Sequence, residues 1–408
     1  MSTELVRSAR PTWERMKLKY VARLQYGDSL SAEARQDGAY QVYGSSGPVG
    51  THCAPNTRGP AIVVGRKGSF GKVSYSAQPC FCIDTAYFVD SASTRADLRW
   101  LFYALQTIGL DGVSQDTGVP GLSREYAHET PIPAPPARVQ RAIADFLDRK
   151  TAGIDALVEK KESLALTLAE KRQALIRRAL TKGLDERVPT KPSGIASLGD
   201  IPRHWQVLSL RRIARVGQGD AFAHDLQGKD VGELPWFKVA DMNRPGNELE
   251  MISAENFVHR RTATEATATI FPPGAVIFPR VGAALLTNKR RILVRPSIID
   301  DNTYAVVPSS RVRSRFLYLS LLLVDMASIS NAGLVPTVTF GAVKGLAIAL
   351  PPVPEQDAIV RRIESDCSAL DALVATTNHS VDRLREYRQA LITAAVTGQL
   401  DVAAQEAA

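Results

Sequence analysis

Cysteine is scarce in this 408-residue chain. There are four, at Cys53, Cys80, Cys82 and Cys367, with no Cys-x-x-Cys spacing and no paired histidines. Neither a zinc site nor a disulfide framework is therefore indicated. The six histidines are scattered, with no His-Glu-x-x-His. His52 and His224 read as surface or packing residues. Long apolar runs are missing as well. The longest, FLYLSLLLV at 316–324, falls short of the roughly 20 residues that span a bilayer. The opening MSTELVRSARPTWERMKLKY lacks an apolar core and does not read as a signal peptide. The expectation is a soluble cytoplasmic protein with no membrane partner.

Catalytic motifs are equally thin. Gly65, Gly68 and Gly71 in GRKGSFGKVS suggest a phosphate loop, but that loop needs four residues between its first glycine and a Gly-Lys-Ser/Thr, and Val73 follows Lys72. VEKK at 158–161 resembles the Glu-x-Lys of some nucleases, yet it lies on a helix stripe without a partner aspartate in a strand, so it reads as a charged helix face. A glycine-rich methyltransferase cofactor loop and an Asn/Asp-Pro-Pro-aromatic motif are both unwritten. No metal, no cofactor of its own and no catalytic residue is expected. What remains is ordinary globular composition, 45% hydrophobic and 23% charged, with a net charge of +8 that leans toward a polyanionic partner.

The chain does have an internal repeat. KRQALIRRALTKGLD at 171–185 returns as YRQALITAAVTGQLD at 387–401. Asp155 aligns with Asp371 (371 − 155 = 216) and Leu175 with Leu391 (391 − 175 = 216), so 131–185 and 347–401 match without a gap. WERMKLKYVARLQYGD at 13–28 matches WQVLSLRRIARVGQGD at 205–220 at an offset of 192. Val119-Pro120 and Val335-Pro336 again stand 216 apart, so the second copy carries 24 extra residues (216 − 192) in its first portion. Each half is thus a diverging unit followed by a shared helix.

Within 140–181, Ile143, Leu147, Ile154, Leu157, Leu164, Leu168, Leu175 and Ala179 recur at helical steps. Ile359, Ile363, Leu370, Leu373, Leu384, Leu391 and Ala395 repeat the skeleton. Pro135-Pro136 and Pro351-Pro352 stop helix upstream. About forty residues make a rod of roughly 60 Å, and a rod with one narrow stripe needs a partner, which the second copy supplies. The diverging units read as α+β: strands in GPAIVVGRKGSFGKVSY, CFCIDTAYFVD, AVIFPRVG and RILVRPSIID, with helices near 97–105 and 315–327. Residues 181–204, rich in Gly, Pro and Ser, read as a linker. The turn bearing Arg66, Lys67 and Lys72 suits a DNA phosphate or base edge, with its backbone amides turned to the ligand. Arg280, Asn288, Lys289, Arg290 and Arg291 form the comparable cluster of the second half.

SGIASLGDIPRHWQVLSLRRIA at 193–214, LPPVPEQ at 350–356 and both RQALI helices resemble the DNA-specificity subunits of Type I restriction–modification systems. YQVYGSSGPVG at 40–50 followed by AIVVGRKGSFGKV resembles one type of target-recognition domain. The first copy departs from the pattern at Arg138-Val139-Gln140, where the second has Pro-Glu-Gln. The resemblance implies two α+β target-recognition domains (1–134 and 205–350) and two helical spacers (135–185 and 351–408). A linker at 186–204 joins the halves, and the helices pack as an antiparallel coiled coil in a pseudo-twofold repeat that holds the readers at fixed separation. It also implies a non-catalytic reader of double-stranded DNA with a split target, partnered by two methyltransferase subunits that bind S-adenosylmethionine and by restriction subunits. Candidate DNA-binding residues are then Tyr43, Ser45, Ser46, Arg66, Lys67, Ser69 and Lys72 in the first half, and Lys238, Arg244, Arg280, Asn288, Lys289 and Arg290 in the second. A free-standing DNA-binding protein and an enzyme with built-in methyltransferase or nuclease activity are the alternatives.

Overall fold

The computed structural model describes residues 13–112, 120–196, 198–221, 227–331 and 333–402. The first twelve residues, Val119 and His224 lie outside the described residues. The chain divides into two compact units, Met1–Leu164 with Thr376–Ala408, and Ala165–Ala375. Both divisions fall inside the long helices Ala137–Lys182 and Val353–Val396. Each unit therefore holds the beginning of one helix and the end of the other.

In the first unit the opening strand Arg15–Lys17 runs antiparallel to Pro131–Pro133, the strand that leads into Pro135-Pro136 and the first long helix. A four-stranded sheet follows the order Gln25–Tyr26, Ala86–Asp90, Ala61–Gly65, Val73–Ser76. A three-stranded sheet places Tyr40–Gly44 between Gly47–His52 and Phe81–Cys82. Helix Leu98–Leu105 is capped by Asp97, whose carboxylate accepts from the amides of Arg99 and Trp100. It drops Trp100, Leu101 and Ala104 into a core shared with Tyr87, Ile143, Leu147, Ile392 and Val396.

The second unit repeats the plan. Gln206–Ser209 closes on Ala347–Leu350. Ala214–Gln218, Thr303–Pro308, Val276–Pro279 and Arg291–Leu293 form the equivalent sheet, to which Glu250–Met251 adds a fifth strand. That edge strand lies within the portion that carries the 24 extra residues. Helix Ser314–Leu322 answers the expected helix near 315–327, and a separate turn of 3₁₀ helix follows at Ala327–Ile329. The segment read as a linker contains a hairpin, Thr190–Pro192 with Asp200–Pro202, and Ile201 is buried in the core of this unit.

The tryptophan that opens each copy packs on the glycine that ends a long helix. A Cβ on Gly398 would stand 2.6 Å from Trp13 Nε1, and one on Gly183 3.3 Å from Trp205 Cζ2. Both glycines are left-handed, at φ 78° and 73°, as helix C-terminal caps commonly are. Trp205 Nε1 donates to Glu355 Oε1 at 3.0 Å, and His204 Nε2 lies 2.8 Å from the other carboxylate oxygen. In the first copy Val139 holds the equivalent position (355 − 139 = 216), and Trp13 Nε1 is buried with no acceptor among the described residues. The departure noted in the sequence thus has a structural consequence, one lost hydrogen bond.

Between 151 and 172 on the first long helix the buried and half-buried positions are 151, 154, 158, 161, 165, 168 and 172; between 363 and 388 on the second a line of such positions runs through 363, 367, 370, 374, 377, 381, 384 and 388, with 366 and 380 half-buried beside it. Alternating steps of three and four average 3.5, the period of a left-handed coiled coil. This seam differs from the apolar stripe expected from the sequence, since Leu157, Leu164 and Leu373 are 43%, 46% and 47% exposed. Thr151, Lys161 and Arg172 take seam places instead, the longer ones through their aliphatic stems. In the first unit Asp155 accepts from Arg388 Nε at 2.8 Å, and Glu162 from Arg385 Nη2 at 2.5 Å. Position climbs on one helix as it falls on the other, so the pair is antiparallel. In the second unit Arg172 Nε faces Asp371 Oδ1 at 2.8 Å. These are the same two residue positions with the copies exchanged, 155 with 371 and 172 with 388. Being partly exposed, each pair contributes only ~0.2–1 kcal/mol and acts mainly on register.

A buried glutamine ties the sheet-bearing part of each unit to the start of its long helix. Gln140 Oε1 accepts from Asp97 N and its Nε2 donates to Pro135 O, while Gln356 Oε1 accepts from Arg313 N and its Nε2 donates to Arg311 O and Pro351 O. Gln356→Leu keeps the volume and strands these groups, so a loss of ~1–3 kcal/mol is expected. Thermal unfolding checks it, and an unaltered transition would show that the tie contributes nothing.

Candidate nucleic-acid interface

Both clusters flagged in the sequence occupy the same place in their units, the connection between two paired strands. In the first unit that connection is 66–72, between Ala61–Gly65 and Val73–Ser76; in the second it is 280–290, between Val276–Pro279 and Arg291–Leu293.

The first connection is a closed turn. Gly65 N donates to Lys72 O, Gly71 N to Gly65 O and Gly68 N to Pro120 O. The glycine amides are therefore spent inside the protein, which corrects the expectation that they face a phosphate. Gly71 is required for close approach, since a Cβ there would meet Asp111 N at 2.4 Å. The side chains point the other way. Ser69 and Lys67 are exposed, and Lys72 Nζ donates to Ser46 O at 2.6 Å. This bond brings the turn Ser45-Ser46, between Tyr40–Gly44 and Gly47–His52, beside the basic connection. Tyr43 lies behind it, 9% exposed and packed with Val63 and Cys82, so the ring supports the turn from below. Arg66 is half-buried, its guanidinium 5.0 Å from the centre of the Tyr26 ring, with Nη1 donating to Asp84 O.

In the second unit Asn288 adopts φ 56°, and Lys289 Nζ donates to Asn243 Oδ1. That bond draws Lys289 to the 3₁₀ turn Val239–Asn243, next to exposed Arg244, which lies 4.0 Å from the carboxylate of Asp241. Lys238, on the other side of that turn, reaches Gln227 Oε1 at 2.8 Å with its ammonium 5.2 Å from the Trp236 ring centre. Arg280 stands at the end of its strand, half-buried, with Nε donating to Asp301 O at 2.6 Å.

Arg290 departs from expectation. It is fully buried, its nitrogens donating to Lys289 O, Asn288 Oδ1 and Val324 O, with the guanidinium 5.1 Å from the Phe278 ring centre. Burial pushes its pKa down to about 10, opposed by the more distant charge of Asp325, so it stays charged at neutral pH. Arg290 therefore acts as a staple of the loop, with its side chain turned inward rather than presented at the surface where the DNA-binding expectation placed it. Strand alternation carries the missed signal: 290 shares a face with Ile292, opposite Phe278, and both of these belong to the core. The sequence reading also missed the aromatic support of the two arginines. Asp84-Thr85-Ala86-Tyr87 and Asp301-Asn302-Thr303-Tyr304 share an Asp-x-x-Tyr pattern that could have revealed it.

Among the described residues no group of three or more His, Cys, Asp or Glu side chains could hold a metal ion, and no helix is long and apolar enough to cross a membrane. All four cysteines are free, and burial raises the thiol pKa of Cys80 and Cys82.

A family model described as the Type I restriction modification DNA specificity domain matches residues 11–166 and again 202–382. The chain belongs to the Type I restriction–modification DNA-specificity family. The two matches to the specificity-domain model correspond to the two copies found by internal comparison. This specificity protein is 23% identical over 360 residues to the Type I restriction enzyme EcoBI specificity subunit of Escherichia coli, covering 83% of this chain and 73% of that one. It is 20% identical over 317 residues to the MjaVIII specificity subunit of Methanocaldococcus jannaschii, covering 75% and 71%. A chain in a solved structure of a type I R-M system has the same fold, with a TM-score of 0.68 at 16% identity over 97% of this chain and 100% of that one.

Arg290→Ala in the specificity protein is expected to lower stability by ~1–3 kcal/mol through stranded carbonyls and lost packing. Arg244→Ala, at an exposed position, should stay within ~0.5 kcal/mol. Equal unfolding midpoints for the two variants would return Arg290 to the surface.

Proposed function

We propose that this specificity-family chain is the non-catalytic reader of a Type I restriction–modification complex. Each unit reads one half of a split double-stranded DNA sequence, and the shared helices dock two methyltransferase subunits, which carry the S-adenosylmethionine; restriction subunits join the same complex. The observation that carries this reading is the contrast between copies. The helices exchange identical ion-pair positions, Asp155 with Arg388 and Asp371 with Arg172, whereas the connections 66–72 and 280–290 differ in length and side chains. Equivalent scaffolds suit two copies of one partner, and different readers suit two different half-sites.

Leu157 and Leu373 support the docking proposal. They are equivalent positions (373 − 157 = 216), both apolar and both nearly half-exposed beside the seam. Glutamate at both positions leaves the seam untouched and should reduce the methyltransferase that co-purifies with the full chain by well over half. Retention of the full amount would remove these leucines from the docking surface.

DNA reading is tested by methylation-aware sequencing of the host with and without the chain. A methylated motif that is split in two and vanishes with the chain is expected. Methylation that survives deletion, or a single unbroken motif, would overturn the reading; a methyltransferase that never co-purifies would favour a free-standing DNA-binding protein.

A further inference from the structure

Arg66 and Arg280 are one device present in both units. Each directly follows an inner strand of its sheet, Ala61–Gly65 or Val276–Pro279. Arg66 N donates to Thr85 O and Arg280 N to Asn302 O, both at 2.9 Å. The carbonyl of Arg66 accepts from Leu122 N at 2.8 Å, and that of Arg280 from Val338 N at 3.0 Å. Arg66 Nη1 donates to Asp84 O at 3.1 Å, and Arg280 Nε donates to Asp301 O at 2.6 Å. The guanidinium carbons lie 5.9 Å from the Tyr87 ring centre and 5.7 Å from that of Tyr304. The partners keep one spacing: Asp84 to Asp301, Thr85 to Asn302 and Tyr87 to Tyr304 are each 217 positions apart (301 − 84, 302 − 85, 304 − 87).

The first turn of each connection matches as well, Gly68 N donating to Pro120 O and Gly282 N to Pro336 O with φ 73° and 75°, whereas beyond these glycines the connections differ in length and in their side chains. The shared arginine is not a buried staple. Arg290 is the staple of this protein, fully covered and donating to three acceptors. Arg66 and Arg280 are half-exposed and each commits one guanidinium nitrogen to a backbone carbonyl. Asp84 O is the backbone acceptor of Arg66 and Asp301 O that of Arg280, with the Tyr87 hydroxyl also close enough to Arg66 to interact with it, so each guanidinium keeps donors to spare. A guanidinium fixed by a carbonyl and a ring face has already lost much of its rotamer freedom, yet keeps donors for a planar, anionic ligand.

We propose that Arg66 and Arg280 are a shared backbone anchor: each binds a DNA phosphate at the same place relative to its half-site, and the dissimilar side chains around them discriminate bases. The proposal rests on the reading that both units bind DNA. Phosphate is favoured over a base because a shared base contact would demand the same base at equivalent places in both half-sites, whereas phosphate is present whatever the sequence.

The test uses the native complex purified through the full chain, with affinity measured against salt concentration. The ligands are a duplex carrying the methylated motif and duplexes with either half-site scrambled. Arg66→Gln and Arg280→Gln keep a donor for the aspartate carbonyl and remove the charge. Each is expected to weaken binding roughly five- to tenfold at about 0.1 M salt and to flatten the log–log salt slope by ~0.9, the double variant by ~1.8. The loss should be equal on intact and scrambled duplexes, with an unchanged unfolding midpoint. Arg66→Lys and Arg280→Lys, which keep the charge, should retain the slope. A loss confined to one half-site would make the residue a base reader and overturn the anchor, and an unchanged slope with a lowered midpoint would make it structural and do the same. Wild-type complex that fails to distinguish intact from scrambled duplex would sink the DNA-reading proposal itself, and the anchor with it.

Discussion

Neither long helix can bury its own seam. Val158, Leu168, Cys367 and Val374 lie on narrow lines repeating every 3.5 residues, and a helix that presents such a line needs a second helix running along it. The chain meets this demand by repetition, and everything else is arranged around that solution. The copies must match along the seam, so their helices stay alike, down to the exchange of Asp155 and Arg388 for Asp371 and Arg172. No such demand reaches the sheets' outer connections, which are free to differ.

How much of this was legible in the residues depends on the range of the interaction. The helices announce themselves through apolar periodicity and the preceding proline pairs, and their ends fall at Lys182 and Val396. The exact seam was less legible, because an apolar side chain was taken as the mark of burial. Leu157 and Leu373 stay out, while Lys161 and Arg172 occupy seam positions with their stems. The strands were readable from β-branched and aromatic runs between glycines. The hairpin at Thr190–Pro192 and Asp200–Pro202 was not, because short proline-bearing strands look like linker.

At the candidate interface the same distinction holds. A cluster of basic residues marks the right connection in each unit, since charge is a local property. Which of those residues reach outward is decided by tertiary pairing. Arg290 turns in because the register with Val276–Pro279 sets it opposite Phe278. The glycine amides of 65–71 turn in because Pro120 and the turn itself supply their acceptors. The support of Arg66 and Arg280 was hidden because aspartate and tyrosine, distant in sequence, meet them only when the sheet forms.

Trp13 rests on Gly398, and the core of the first unit includes Ile392 and Val396. During synthesis this has a temporal consequence. The second unit, Ala165–Ala375, is one contiguous stretch and can complete its core as soon as it leaves the ribosome. The first begins earlier but lacks its closing helix turn until residues 392–398 are made. At ~5–20 residues per second, the sheet of the first unit waits on the order of 10–50 seconds for that turn, with the apolar face that Ile392 and Val396 cover still open. The half that is translated first is therefore the half that is finished last.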